Sequence, residues 1–268
     1  MVSIQPLSKN NVPNLNSIKP EKWPDIEKIH GFYLANDYCH PIKAMIGDEL
    51  VGIGTSICFG NTAWLAHIIV AQDHRNQGIG GLIVQSLLTD LQNRYACESV
   101  SLIATDMGFP VYLKYGFNTQ TQYYAFQSET EHPLPVAPDN IQGISADHIP
   151  AILALDRQIT GEDRRVLIHP ALASGFVYCQ NHHVQGYYLP DLGEGPVYAP
   201  DPQAGLALLQ MKITKSNKVV IPADNTVACD FLLKNGFVKI EEIRRMVHGS
   251  EFPWQPQHFF SRVGGWVG

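Results

Sequence analysis

Apolar residues recur along the chain at two different spacings, and these spacings predict its secondary structure. The β-branched run Ile68–Val70 predicts a covered strand, and apolar positions three or four residues apart between residues 78 and 95 predict a helix directly after it. Up to Phe126 the patterns follow the order strands, helix, strand, helix, strand, which predicts a mixed α/β (α+β) fold. The predicted strands cover residues 3–6, 42–46, 50–59, 64–70, 99–105 and 117–126, and the predicted helices cover 23–29, 78–95 and a short segment around Tyr112.

A polar, glycine-rich turn joins the strand that ends at Val70 to the long helix. Without Cβ atoms, Gly78, Gly80 and Gly81 would let an anion approach the backbone, where the first helical turn offers unpaired N–H groups. A Walker loop would require Gly-Lys-Ser/Thr here, and a dinucleotide-binding loop would require a glycine in place of Arg75. The turn therefore predicts a phosphate cradle of another class.

The second half of the chain reads as a divergent copy of the first. Three prolines within 128–140 predict a linker, so we expect a first domain over 1–128, a linker over 129–140 and a second domain over 141–268. Residues 225–237 repeat the pattern around Tyr112, with Leu232 in place of the tyrosine. The helix that corresponds to the cradle opens with Asp201-Pro202, which places a carboxylate where phosphates would lie.

Composition restricts the partners. A formal net charge of −6 over 268 residues argues against nucleic acid or an anionic membrane, and no apolar run reaches membrane-spanning length. Five scattered cysteines without a Cys-x-x-Cys pair predict neither a disulfide framework nor a metal site. We expect a cytoplasmic protein, monomeric or homodimeric.

Two motifs resemble the GCN5-related N-acetyltransferase (GNAT) superfamily. Arg75-Asn76-Gln77-Gly78-Ile79-Gly80 resembles its coenzyme A signature, and Tyr112-Leu113-Lys114-Tyr115-Gly116-Phe117 resembles its Tyr-x-x-x-Gly-Phe block. The resemblance implies two GNAT-like domains in tandem, each a mixed, mostly antiparallel sheet flanked by helices, with acetyl-CoA bound by the first. The residues implied in cofactor binding are Ile68, Ile69, Val70, Arg75, Asn76, Gln77, Gly78, Ile79, Gly80, Gly81 and Tyr112.

The reaction implied by the resemblance is attack of an amine on an acetyl thioester. The backbone N–H of Val70 would stabilise the oxyanion, and Tyr112 would protonate the leaving thiolate. His67 is a low-probability candidate for the general base, because strict alternation places it on the strand face opposite that of Trp64, Ala66, Ile68 and Val70. The alternative is a proton relay through water.

Two classes of function follow from this resemblance. The first is an N-acetyltransferase for a small amine or amino-acid-like acceptor, with a protein-modifying acetyltransferase as a variant. The second is a non-catalytic acyl-CoA-binding or sensing protein. The charged segment 156–165 either lines an acceptor site or forms a solvated surface with local ion pairs.

Overall fold

The computed structural model describes residues 1–21, 23–130 and 140–268. The chain forms two compact units, one of residues 1–118, 246–250 and 267, the other of residues 119–245, 251–266 and 268. The predicted domain limits at residues 128 and 141 differ from this division by contacts and stay predictions. Most of the predicted linker, residues 131–139, lies outside the described residues.

The first unit contains a sheet with strand order β1-β2-β3-β4-β5, in which only the β4–β5 pair is parallel. Its main core packs α2 against this sheet, and a second core lies around Leu15, Ile26 and Ile69. The elements are β1 (Val2–Pro6), α1 (Glu27–Ala35), β2 (Cys39–Ile46), β3 (Glu49–Phe59), β4 (Thr62–Val70), α2 (Ile79–Tyr95), β5 (Ser99–Ala104) and α3 (Phe109–Lys114). The predicted helix over 23–29 begins later, at Glu27, so Pro24 precedes it.

The second unit contains β6 paired with β11, and a five-stranded sheet of order β13-β10-β9-β8-β7. Strand β12 contributes its last residues, from Met246 onward, to the first unit. The elements are β6 (Asn118–Gln127), β7 (Ile141–Gly143), α4 (Ile149–Thr160), α5 (Arg165–Ile168), β8 (Phe176–Gln180), β9 (His183–Tyr188), β10 (Val197–Tyr198), α6 (Pro202–Ile213), β11 (Lys218–Pro222), α7 (Thr226–Lys234), β12 (Val238–Gly249) and β13 (Phe259–Ser261). The mixed, mostly antiparallel class is confirmed.

Two glycines of β3 determine how closely α2 approaches the sheet. A Cβ at Gly54 would lie 2.5 Å from Cγ2 of Ile83, and one at Gly52 would lie 3.0 Å from Cδ1 of the same side chain. A larger residue at Gly54 would push the helix outward, and one at Gly52 would also meet the Ile69 carbonyl oxygen at 2.9 Å, so these glycines help position the start of α2.

Candidate active site

A β-bulge interrupts β4 near its C-terminal end. Ile53 pairs with Ile69 and Thr55 with Ala66, so two residues of β4, His67 and Ile68, lie opposite the single residue Gly54. His67 has a φ of +48°, a left-handed conformation that L-residues seldom adopt.

The bulge reverses the alternation of side chains along β4. Ala63 and Leu65 pack in the core beneath α2, and after the bulge Ile68 and Val70 pack in that same core. Ile69 packs in the second core instead. The prediction that Trp64, Ala66, Ile68 and Val70 share one face is therefore wrong, because the extra residue shifts the two-residue period.

The end of β4 also has an open edge toward β5. Parallel pairing runs from Thr62 and Ser99 to Leu65 and Leu102 and stops there within the described residues. Ala71 N–H donates to the Val51 carbonyl over 2.9 Å, which makes this a hydrogen-bonded pair. In antiparallel strands the neighbouring residue then points its N–H outward, so the amide of Val70 faces the opened edge.

The turn after β4 leads into a helix start that no side chain of the described residues caps. Asn76 and Gly78 have positive φ values of 61° and 83°, and α2 begins at Ile79. The first N–H with a helical carbonyl partner is that of Leu82, bonded to Gly78 O over 3.1 Å. The amides of the three preceding residues face the end of the helix, where the helix dipole is positive.

The glycines of this turn differ in what surrounds them. A Cβ at Gly78 would meet nothing within 4 Å, and one at Gly80 would meet only Cγ2 of Val70, at 3.7 Å. At Gly81 it would lie 2.7 Å from the hydroxyl of Tyr115, the residue after α3, so that side chain would have to shift. The backbone before Gly81 is thus open to an anionic ligand, and these residues fit the phosphates of coenzyme A.

Side chains of the predicted signature mainly brace the turn. Arg75 Nε donates to the Val70 carbonyl over 3.1 Å, and Gln77 Nε2 donates to the Asp73 carbonyl over 3.2 Å. The side chains of Ile69 and Ile79 are buried in separate cores, so only their backbone is available to a ligand.

Tyr112 lies on α3 in the core of the first unit, with 9% of its surface exposed. Its ring packs on Gly108 and Phe117. Burial raises the pKa of its phenol to about 12, so the hydroxyl holds its proton at neutral pH. The Thr105 hydroxyl accepts the Gly108 N–H over 3.2 Å at the start of α3.

The ends of α3 and α7 have the same hydrogen bonds. Phe117 N–H donates to Tyr112 O over 3.1 Å, and Phe237 N–H donates to Leu232 O over 3.0 Å. Gly116 and Gly236 each have a φ of +80°, as the Schellman motif requires. The two blocks thus match in geometry, and Leu232 holds the position of Tyr112.

The helix starts of the two units differ. At α6, Asp201 Oδ1 accepts the N–H of Ala204 over 2.8 Å, and Pro202 offers no amide proton. The chain's own carboxylate therefore occupies the place that is open at α2.

His67 lies in an aromatic cluster on the face of β4 opposite α2. Its Nδ1 hydrogen-bonds the Tyr33 hydroxyl over 2.8 Å, and its ring contacts Trp23 and His30. Burial and the neighbouring His30 lower the pKa of His67 to about 3. At neutral pH such an imidazole binds a proton too weakly to serve as an efficient general base.

The charged segment 156–165 divides into a buried pair and an exposed pair. Arg164 donates to Asp156 over 2.6 Å, and both side chains are almost fully buried. Arg165 and Asp163 form an ion pair at the surface. The solvated interpretation is wrong for the first pair and right for the second. Sequence reasoning missed the burial of Asp156. The available signal was its position on the core-facing side of α4, beside apolar neighbours.

The comparisons with known proteins cover both halves of the chain. Profiles of the acetyltransferase (GNAT) domain match residues 18–128 and, through a second such profile, residues 152–261. YitH of Bacillus subtilis (strain 168), described as an uncharacterized N-acetyltransferase, is 23% identical over 235 residues, which are 83% of this chain and 82% of that protein.

Two solved structures share the fold over nearly the whole chain. A proposed acetyltransferase of Pyrococcus horikoshii has a TM-score of 0.84 at 17% identity, with 100% of this chain and 96% of that chain covered. A GCN5-related N-acetyltransferase of Sphaerobacter thermophilus has a TM-score of 0.67 at 15% identity, with 95% and 98% covered. The chain belongs to the GNAT superfamily of acyltransferases and carries two GNAT domains in tandem.

Proposed function

We propose that the first domain binds acetyl-CoA and that the enzyme transfers the acetyl group to the amine of a small molecule or amino-acid-like acceptor. The observation that carries this proposal is the uncapped start of α2, which lies next in the chain to the opened end of β4. An anion site and an outward-facing strand amide are the two features that a pyrophosphate-bearing thioester needs.

The amides from Gln77 to Gly81 would hold the pyrophosphate, and Arg75 would keep the turn attached to β4 through the Val70 carbonyl. Ile68, Ile69 and Val70 would contact the donor through the strand, and Asn76 gives the turn its left-handed bend. Acetyl-CoA, when bound, would supply an activated acetyl thioester.

The Val70 N–H would donate to the oxygen on which negative charge develops. The Tyr112 hydroxyl, whose raised pKa keeps it protonated, would give its proton to the leaving thiolate. A water relay is our proposal for removing the ammonium proton, since the pKa of His67 is about 3.

We propose that the second domain does not bind coenzyme A, because Asp201 caps α6 and Leu232 replaces the tyrosine. The buried Asp156 is engaged by Arg164 and Tyr187, so it is not offered as a ligand for a cationic acceptor.

The cytoplasmic location and the oligomeric state stay predictions. Within the part of the chain that the structure describes, no helix has the length and apolar character to cross a bilayer.

Release of free thiol from acetyl-CoA across a panel of primary amines, amino acids and peptides tests this proposal. We expect turnover with at least one small amine. Under the same conditions the Tyr112→Phe variant should retain only a small residual rate. Binding of acetyl-CoA without turnover on any amine would favour the sensor, and turnover on peptides alone would favour a protein-modifying enzyme.

A further inference from the structure

The second unit contains a set of buried polar atoms that lack hydrogen-bond partners among the described residues. Two are phenol hydroxyls on fully buried tyrosines, one is an indole nitrogen, and one is a guanidinium nitrogen. Leaving such groups unpaired away from water is unfavourable, so a missing partner is expected. We call this set the donor cluster: Tyr123 OH, Tyr198 OH, Trp254 Nε1 and Arg262 Nη1.

Ring contacts bring these side chains together. The Tyr123 ring stacks on Trp254 with centroids 6.5 Å apart, and Phe259 contacts both Trp254, at 5.7 Å, and Tyr198, at 4.4 Å. The three aromatic members of the donor cluster therefore belong to one group of contacting rings around Phe259.

Guanidinium groups lie around the donor cluster, and those of Arg164 and Arg262 are paired with the carboxylates of Asp156 and Glu194. Burial raises the pKa of Tyr123, and the guanidinium groups of Arg245, Arg262 and Arg164 oppose that shift by their positive charge. Arg245 also lies over the Trp254 ring, 4.1 Å from its centroid. Arg245 and Arg164 approach the hydroxyls of Tyr123 and Tyr198, respectively, as donors, which leaves each hydroxyl proton without an acceptor among the described residues.

The chemistry of the donor cluster selects the ligand. Indole and guanidinium nitrogens can only donate, and phenols can donate, so the matching atoms must be acceptors. An ionised carboxylate has two oxygens with about four acceptor positions and one negative charge, which fits this set. A phosphate would bring a further oxygen and more charge than the donors can satisfy.

Arg262 connects the donor cluster to the surface of the unit. Its Nε and Nη2 donate to the Glu194 carboxylate over 2.9 and 2.8 Å, which leaves Nη1 on the buried side. Glu194 is partly exposed and lines a cavity of about 470 Å³ together with Lys212. Arg262 therefore links the donor cluster to a residue that lines this cavity.

We propose that the second unit binds a small carboxylate-bearing molecule, with the carboxylate held by the donor cluster. This goes beyond the acetyl transfer proposed above, and it involves no acetyl donor. The two proposals therefore fail independently.

Isothermal titration calorimetry of the full chain without coenzyme A tests the site, with acetate, propionate and succinate as probes. We expect at least one carboxylate to bind, and acetamide and inorganic phosphate to bind at least about tenfold more weakly. The double variant Tyr123→Phe, Tyr198→Phe keeps both rings and should weaken carboxylate binding by about 10²-fold.

The matched control is Tyr178→Phe, another buried tyrosine of this unit, whose hydroxyl accepts from Asn140 over 2.9 Å. It should bind carboxylates as the wild type does. If the double variant does not fold, Trp254→Phe removes one donor alone and should weaken binding about tenfold. Absence of binding by all three carboxylates would mean that water fills the site and would overturn the proposal. Carboxylate binding by the double variant or by Trp254→Phe that equals wild-type binding would also overturn it, as would phosphate binding that is tighter than carboxylate binding.

Discussion

Replacement of Gly80 distinguishes an effect on anion binding from an effect on the stability of the fold. A Cβ at this position meets only the Val70 methyl group at 3.7 Å, an ordinary contact, so both Ala and Asp fit sterically. Gly80 is the second residue of α2. Alanine there should stabilise the helix by about 0.5–1 kcal/mol, and aspartate should gain about 0.3–1 kcal/mol from the helix dipole.

The aspartate should nevertheless impair coenzyme A binding. Two unit charges about 5 Å apart repel by roughly 2–3 kcal/mol at an effective dielectric constant between 20 and 40. The new carboxylate would also compete for the amides of the first turn, as Asp201 does at α6. We therefore expect Gly80→Asp to weaken coenzyme A binding by about 10²-fold or more.

Titration calorimetry with coenzyme A and urea denaturation measure the two effects on the same samples. Gly80→Ala is the matched control, because it adds a side chain without charge and should retain binding. If Gly80→Asp binds within about threefold of wild type while remaining folded, the assignment of phosphates to the start of α2 is wrong.

Three further predictions concern other parts of the first unit. Tyr112→Phe should leave coenzyme A affinity unchanged while kcat and kcat/KM fall by about 10²–10⁴, and full activity in steady-state kinetics would reduce Tyr112 to a packing role. Gly54→Ala should destabilise the fold by about 1–3 kcal/mol in urea, because its Cβ would lie 2.5 Å from Ile83, whereas Gly31→Ala, which meets nothing within 4 Å, should not. The pKa of His67 is about 3 in the fold against an ordinary 6.5, so the unfolded chain takes up the proton first as pH falls below 6.5. The free energy of unfolding should drop by up to about 1.4 kcal/mol per pH unit between pH 6 and 4, and His67→Gln should remove that part of the slope.

The site could be recognised from sequence where its features are local. Gly78 and Gly80 lie at the start of α2, which residues adjacent in sequence determine. The Gly116-Phe117 pair ends α3 through backbone hydrogen bonds that lie within six consecutive residues. Asp201 likewise caps the helix that it precedes. Such features depend on backbone sterics and short-range hydrogen bonds, which a sequence pattern contains.

Other features required the tertiary structure. The bulge at His67 has no local signal, because it depends on how β3 and β4 register against each other. It changed which residues share a face and placed His67 beside Tyr33 and His30, where burial lowers its pKa.

Sequence alone determined the family motifs, the two-part repeat and the mixed α/β class, since each arises from spacing along the chain. It could not determine that Asp156 and Arg164 pair inside the second unit, or that a donor cluster forms around Phe259. Charge runs are usually solvated, and whether a charge is buried depends on partners that are distant in sequence. Only the packing of those distant residues decides whether a polar side chain meets water, an ion pair or an unfilled site.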